Sequence, residues 1–174
     1  MPNATPLTHR LATRADLPRI VEIYNSTIAS RMVTADLEPI SVESRERWFA
    51  EHTPQFRPLW VVELDTAGDR QIAGWLSFSS FYGRPAYNGT AEVSIYIDAR
   101  FRRAGIGRYL LGEAMAHAPR IGVHTLLGFI FGHNLPSLAL FERYGFARWA
   151  HLPRVALLDG VERDLIILGR RLDA

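Results

Sequence analysis

The chain has 174 residues, 48% of them hydrophobic and 22% charged, with a formal net charge of +2. That length supports one domain with a substantial core, and the composition excludes a disordered chain or a basic nucleic-acid-binding tail. With no cysteine, disulfides, thiolate metal sites and cysteine nucleophiles are also excluded. Residues 1–6 show no basic stretch leading into an apolar one, and no apolar run approaches the roughly 20 residues of a membrane span. The expectation is a soluble, cytoplasmic protein that binds neither nucleic acid nor membrane.

In chain order, residues 7–13 read as a short strand. Asp16-Leu17-Pro18 then opens a helix, with Asp16 as its cap and proline tolerated early. Leu17, Ile20, Val21, Tyr24 and Ile28 follow at helical spacing. Residues 29–39 read as a loop carrying Arg31. Residues 41–51 read as a second helix, with Ser41 or Ser44 as cap and Trp48 and Phe49 facing inward. Two strands, 59–64 and 71–78, flank a turn at 65–69 and predict a hairpin. An aromatic loop, Phe81-Tyr82-Gly83-Arg84-Pro85-Ala86-Tyr87, leads to a strand that ends near Asp98.

A helix over 108–117, a strand over 125–131 and a helix over 134–144 come next, the last stopped by Gly145. Strands over 146–153 and 164–168 flank the turn Leu158-Asp159-Gly160. No repeat or linker interrupts this order. It predicts a single α/β domain over residues 1–174 with a mixed, mostly antiparallel sheet.

The motif that carries chemistry is Arg102-Arg103-Ala104-Gly105-Ile106-Gly107, set between a strand and a helix. Backbone N–H groups at a helix start lack intrahelical partners and sit at the positive end of the helix dipole. Glycines let such a backbone approach a phosphate, and the arginines add charge. A diphosphate-bearing ligand is the first expectation. The turn is not a P-loop, which needs Gly-Lys-Ser/Thr, and no nucleophile-elbow sequence supports Ser-His-Asp hydrolysis. The six histidines show no metal-ligand spacing, so no metal is expected.

Arg102-x-x-Gly105-x-Gly107 after an apolar strand resembles the acetyl-CoA pyrophosphate loop of the GCN5-related N-acetyltransferases (GNAT). The downstream run from Asn134 through Phe141-Glu142-Arg143-Tyr144-Gly145-Phe146 resembles their second motif. Ile23-Tyr24-Asn25, the aromatic loop, the strand Thr90-Ala91-Glu92-Val93-Ser94-Ile95-Tyr96-Ile97 and Gly132-His133-Asn134 are most similar to the phosphinothricin N-acetyltransferase group. The resemblance implies a sheet of about six or seven strands, splayed at the acetyl-CoA site and flanked by about four helices. It also implies acetyl-CoA as cosubstrate, a phosphinothricin- or methionine-sulfoximine-like amino acid as acceptor, and a homodimer whose interface the apolar C-terminal strands could supply. Transfer to another amine (a polyamine, an aminoglycoside or a protein N-terminus) and a catalytically silent acyl-CoA-binding module are the alternatives.

The resemblance assigns roles to individual residues. Glu92 is the candidate general base, against the plain reading of a surface glutamate in an ion pair. Ile95, Tyr96 and Ile97 would hold the pantetheine arm through main-chain groups. Arg102, Arg103, Ala104, Gly105, Ile106, Gly107 and Arg108 would cradle the diphosphate. Asn134 would bond the pantetheine arm or cap its own helix, and Ser137 would approach the coenzyme or satisfy the first turn. Phe81, Tyr82, Arg84 and Tyr87 form a candidate acceptor wall, with Ser94 on the same side and Arg31 as a second anion-binding candidate. Phe141 departs from the family, which places a proton-donating tyrosine or histidine there; Tyr144, water, or direct release of the thiolate are the alternatives. The family's C-terminal Trp-Leu-Asp core is replaced by Val161-Glu162-Arg163-Asp164-Leu165.

Overall fold

The computed structural model describes residues 7–66 and 68–172. The readings made for residues 1–6, and for Ala67 in the first hairpin turn, lie outside the described residues. The elements run β1 (Thr8–Leu11), α1 (Leu17–Ile28), α2 (Glu46–Ala50), β2 (Leu59–Thr66), β3 (Asp69–Ser80), β4 (Thr90–Ile97), α3 (Ile106–His117), β5 (Thr125–Phe131), α4 (Leu135–Arg143), β6 (Ala147–Leu158) and β7 (Val161–Arg171). The strands form one sheet in the order β1-β2-β3-β4-β5-β7-β6. Only β4 and β5 run parallel; the other neighbours are antiparallel. The expected mixed sheet and four helices are therefore present.

Alternation along β4 assigns the two faces. Ala91 and Val93 enter the larger core with Leu110, Leu111 and Ala114 of α3 and Leu138 and Phe141 of α4. Tyr96, on the other face, packs on the smaller core that Ile20, Ile23, Tyr24 and Ile28 of α1 form with Trp75. The helical spacing read for α1 is the buried stripe of that helix. Glu92 and Ser94 share the Tyr96 face because side chains repeat every second residue.

Several local expectations need correction. Asp16 stands at the start of α1 but does not cap it. Its carboxylate accepts from Arg10 at 2.7 and 3.0 Å and from the Thr13 N–H at 2.7 Å, which fixes the preceding turn instead. The second helix is shorter than read: residues 43–45 form a 3₁₀ turn, with Ser41 Oγ accepting the Ser44 N–H at 3.1 Å, before α2 begins. The last two strands are longer than expected because each has a long antiparallel partner in the other. No helix among the described residues is long and apolar enough to cross a membrane.

One close approach controls the middle of the sheet. A Cβ on Gly128 of β5 would lie 2.6 and 2.9 Å from ring carbons of Phe141. The glycine therefore makes the room in which the α4 ring stands against the strand. Phe141 is in turn held edge-on by Phe146 at 4.9 Å. Gly128→Ala is expected to destabilise the fold by about 1–3 kcal/mol through overpacking, read as a lower urea midpoint. The smaller ring-free side chain of Gly128→Ala/Phe141→Leu should recover part of that loss.

Candidate active site

The β4–β5 ladder is short. Thr90, Ala91 and Glu92 pair with Thr125, Leu126 and Leu127, and the ladder ends there. Beyond that point β4 stays with β3, while β5 continues along β7 to Phe131. The β4 main-chain groups past Glu92 that would face β5 open instead on a cleft. Ile95, Tyr96 and Ile97 line one wall; Phe129 and Phe141 stand opposite. Asn134 and Ser137 close the end of the cleft at the start of α4.

The basic turn lies along the same edge. Arg103 and Gly105 take left-handed backbone angles, φ 67° and 80°, and Gly105 precedes the first residue of α3. No main-chain acceptor meets the N–H groups of residues 103–108 among the described residues. Gly107 packs tightly, since a Cβ there would meet Leu140 at 3.3 Å and Ile97 at 3.4 Å. The nearest acid in sequence, Asp98, is already held by Arg19 and Arg100. Arg102, Arg103 and Arg108 remain exposed beside the free N–H groups. Phosphate is the natural complement of such a turn.

Asn134 is buried, and its amide is used twice within the protein. Oδ1 accepts the Ser137 N–H at 3.3 Å, which makes it the cap of α4, and Nδ2 donates to the Met32 carbonyl at 2.9 Å. His133 Nε2 donates to the Arg31 carbonyl at 2.8 Å. Together these bonds tie the loop after α1 over the cleft. The capping role is thus filled, and the cleft is given a fixed roof.

Glu92 stands where the strands part. Its carboxylate accepts a hydrogen bond from Ser94 Oγ at 3.2 Å and has no cationic partner among the described residues. Burial pushes its pKa above the usual glutamate value, and the Ser94 bond opposes that only in part. The surface ion pair considered from sequence is absent. Val33, Ala35, Phe129, Phe131, Val155 and Leu165 surround the Glu92 side chain in a mostly apolar pocket. A half-buried carboxylate without a cationic partner, beside an apolar pocket, has the properties of a general base.

The family model described as "Acetyltransferase (GNAT) family" matches residues 20–146. The chain belongs to the GNAT acetyltransferase family. It is an acyltransferase of that type. It is 58% identical to the Bacillus subtilis protein named "Putative phosphinothricin acetyltransferase YwnH", over 95% of this chain and 99% of that one. It is 30% identical to an L-methionine sulfoximine/L-methionine sulfone acetyltransferase of Pseudomonas aeruginosa, covering 91% of each chain. Among solved structures, it is similar to a phosphinothricin acetyltransferase from Sinorhizobium meliloti in complex with AcCoA. That likeness has a TM-score of 0.88 and 29% identity, and covers 97% of this chain and 89% of that one.

In this GNAT chain Ile95, Tyr96, Ile97, Arg102, Asn134 and Ser137, expected on the donor side, line one pocket, whereas the residues expected on the acceptor side do not all follow. Ser94 borders the Glu92 pocket. Phe81, Tyr82 and Tyr87 instead gather into their own cluster, with ring centroids 4.6 to 5.8 Å apart. Tyr82 is 77% exposed, and neither these rings nor Arg84 line the pocket. Arg31 is committed elsewhere: its guanidinium donates to Asp159 in the β6–β7 turn at 2.7 and 3.0 Å. Phe141 is core, and the Tyr144 hydroxyl turns toward α3 to donate to the Arg108 carbonyl at 2.7 Å.

Two arginines were not legible from sequence. Arg57, only 3% exposed, has no carboxylate partner among the described residues. It donates to Ser80 Oγ at 3.1 Å and to the Asn88 carbonyl at 3.0 Å, holding both ends of the aromatic loop together. Arg45 lines a second pocket next to the first. No motif marks either residue: Arg57 meets Ser80 and Asn88, and Arg45 meets the Tyr24 ring of α1.

Burial of Glu92 has a consequence for stability. A carboxyl whose pKa is raised in the folded state binds its proton more tightly there than in the unfolded chain. Its ionisation therefore costs stability, and that cost develops as pH rises from the usual glutamate range through the raised value. Glu92→Gln is expected to melt higher than the native protein at pH 7 to 8. The two should converge below about pH 4, as measured by thermal unfolding across pH.

Proposed function

We propose that this protein transfers the acetyl group of acetyl-CoA to the amino group of a small amino-acid-like acceptor, of phosphinothricin or methionine sulfoximine type. Glu92 is its general base. The observation that carries this reading is the unpaired Glu92 carboxylate at the point where β4 leaves β5. The named activities of the relatives support the acceptor class. The free N–H groups of residues 103–108, with Arg102, Arg103 and Arg108, suit a diphosphate, and the unpaired edge of β4 at Ile95 to Ile97 suits the amides of a pantetheine arm.

Bound acetyl-CoA supplies the activated thioester. Glu92 holds the acceptor amine and takes its proton as the nitrogen–carbon bond forms and the carbon–sulfur bond breaks. Ser94, through its bond to Glu92, orients the carboxylate. Phe141 carries no acidic proton and Tyr144 is bonded to a carbonyl, so solvent protonates the departing thiolate. The proposed unit is one cytoplasmic domain acting as a homodimer. The edge strand β6, which exposes Trp149, Val155 and Leu157, supports that assembly. A silent acyl-CoA-binding module would have no use for a desolvated, unpaired carboxylate, which favours the enzyme.

Glu92→Gln is expected to lower kcat about 100-fold or more in a thiol-release assay, while acetyl-CoA binding persists. The native kcat/KM should rise with pH through a pKa above the ordinary glutamate value. Near-native turnover of the variant at every pH would remove Glu92 from the mechanism. Arg102→Glu/Arg103→Glu should raise the KM for acetyl-CoA about tenfold or more and make it more sensitive to salt. An unchanged KM would place the diphosphate elsewhere.

A further inference from the structure

On the α1 side of Ser94 and Tyr96 lies a separate pocket of about 120 Å³. Its floor follows from strand register. Ser79 stands opposite Glu92, Ser77 opposite Ser94 and Trp75 opposite Tyr96, and directly opposed residues share a face. The floor therefore grades from the serine hydroxyls of Ser79, Ser77 and Ser94 to a stacked pair of rings whose centroids lie 4.5 Å apart, and Glu92 continues the same face in the adjoining pocket that shares Ser94 and Tyr96. The Trp75 indole is fixed by its N–H bond to the Ile20 carbonyl at 3.1 Å.

Arg45 stands at the aromatic end of this floor. Its guanidinium carbon lies 4.9 Å from the Tyr24 ring centre and 5.3 Å from that of Trp48. The side chain is only 27% exposed, and its closest carboxylate oxygen, on Asp36, is 3.7 Å away. That is beyond hydrogen-bond distance, and the same oxygen already accepts from the Tyr24 hydroxyl at 2.5 Å. A planar cation with five N–H donors is thus oriented by two ring faces and lines a pocket without a hydrogen bond of its own among the described residues. Such a fork matches a carboxylate or phosphinate oxyanion.

We infer that Arg45 binds the oxyanion at the end of the acceptor's side chain while the acceptor's amine faces Glu92 across the serine floor. At about 3.3 Å per residue, Glu92 and Tyr96 are roughly 13 Å apart along β4. That span is too long for an α-carboxylate, which sits one carbon from the amine, and suits an acid several bonds away. Arg45 then sets specificity for amino acids with an anionic terminus over neutral ones of similar length. The inference rests on the transfer reaction proposed above.

The test compares phosphinothricin, whose side chain ends in an anionic phosphinate, with methionine sulfone, whose end is neutral. Arg45→Met keeps an apolar stem against Tyr24 and Trp48 and removes the charge. The ratio of kcat/KM for phosphinothricin over methionine sulfone should fall about tenfold or more, through KM rather than kcat. Arg45→Lys should restore part of it. An unchanged ratio, or equal losses for both acceptors, would overturn the assignment. Calorimetric binding of phosphinothricin in the presence of coenzyme A separates this from failure of the reaction itself. If the native protein releases no thiol with either compound, the transfer reading fails. Binding that is present in the native protein and lost in Arg45→Met would still support the oxyanion site. Binding absent from both, or equal in both, would overturn it.

Discussion

The functional part of the molecule depends on the parting of β4 and β5 after only three paired positions. A sheet that stayed paired there would bury the β4 edge in a ladder and leave no cleft. The parting is enforced on both sides. β4 remains tied to β3 along seven positions, and β5 is tied to β7 along seven. Between them the Phe141 ring occupies the space that Gly128 leaves open, and α4 is thereby wedged against β5. Glu92 is the last paired residue, so its carboxylate is delivered to the apex of the opening without a neighbour to neutralise it.

The distribution of charge follows the same division. Structural charges are paired: Arg10 with Asp16 and Glu63, Arg19 and Arg100 with Asp98, Arg31 with Asp159. Glu92 has no cationic partner among the described residues, and Arg45 has only Asp36, at 3.7 Å and beyond hydrogen-bond distance; both line the pockets beside the cleft. Because a desolvated charge without a partner is costly to a fold, charges left in that condition mark a place where a ligand supplies the missing half. Arg57 is the instructive exception. It is buried without a carboxylate, yet carbonyl and hydroxyl oxygens satisfy its donors, and its role is to close the aromatic loop.

Much of this was legible along the chain wherever the signal is local. The α1 stripe, the hairpin of β2 and β3, the glycine turn before α3 and the Gly145 stop after α4 each depend on neighbours in sequence, and each stands within a few residues of its expected place. The errors arose where a local group was captured by a distant one. Arg31 is the case in point, held by Asp159 at the far end of the chain; Asp16 instead meets Arg10 just before α1, and the rings of the aromatic loop meet one another rather than the pocket. Arg45 carried no signal at all, because its aromatic supports come from α1 and from α2 just after it while its pocket is floored by β3 and β4.

The sequence by itself determined the family, the alternation of strands and helices, and the anion-binding turn, since period, glycine spacing and helix-terminus chemistry are properties of contiguous residues. Only the tertiary structure decided where β4 and β5 separate, that Glu92 is left unpaired, and which arginine faces a pocket. Those outcomes depend on competition among groups far apart in the chain for the same hydrogen bonds and the same space. Such a competition is settled only when the sheet and its helices close around them.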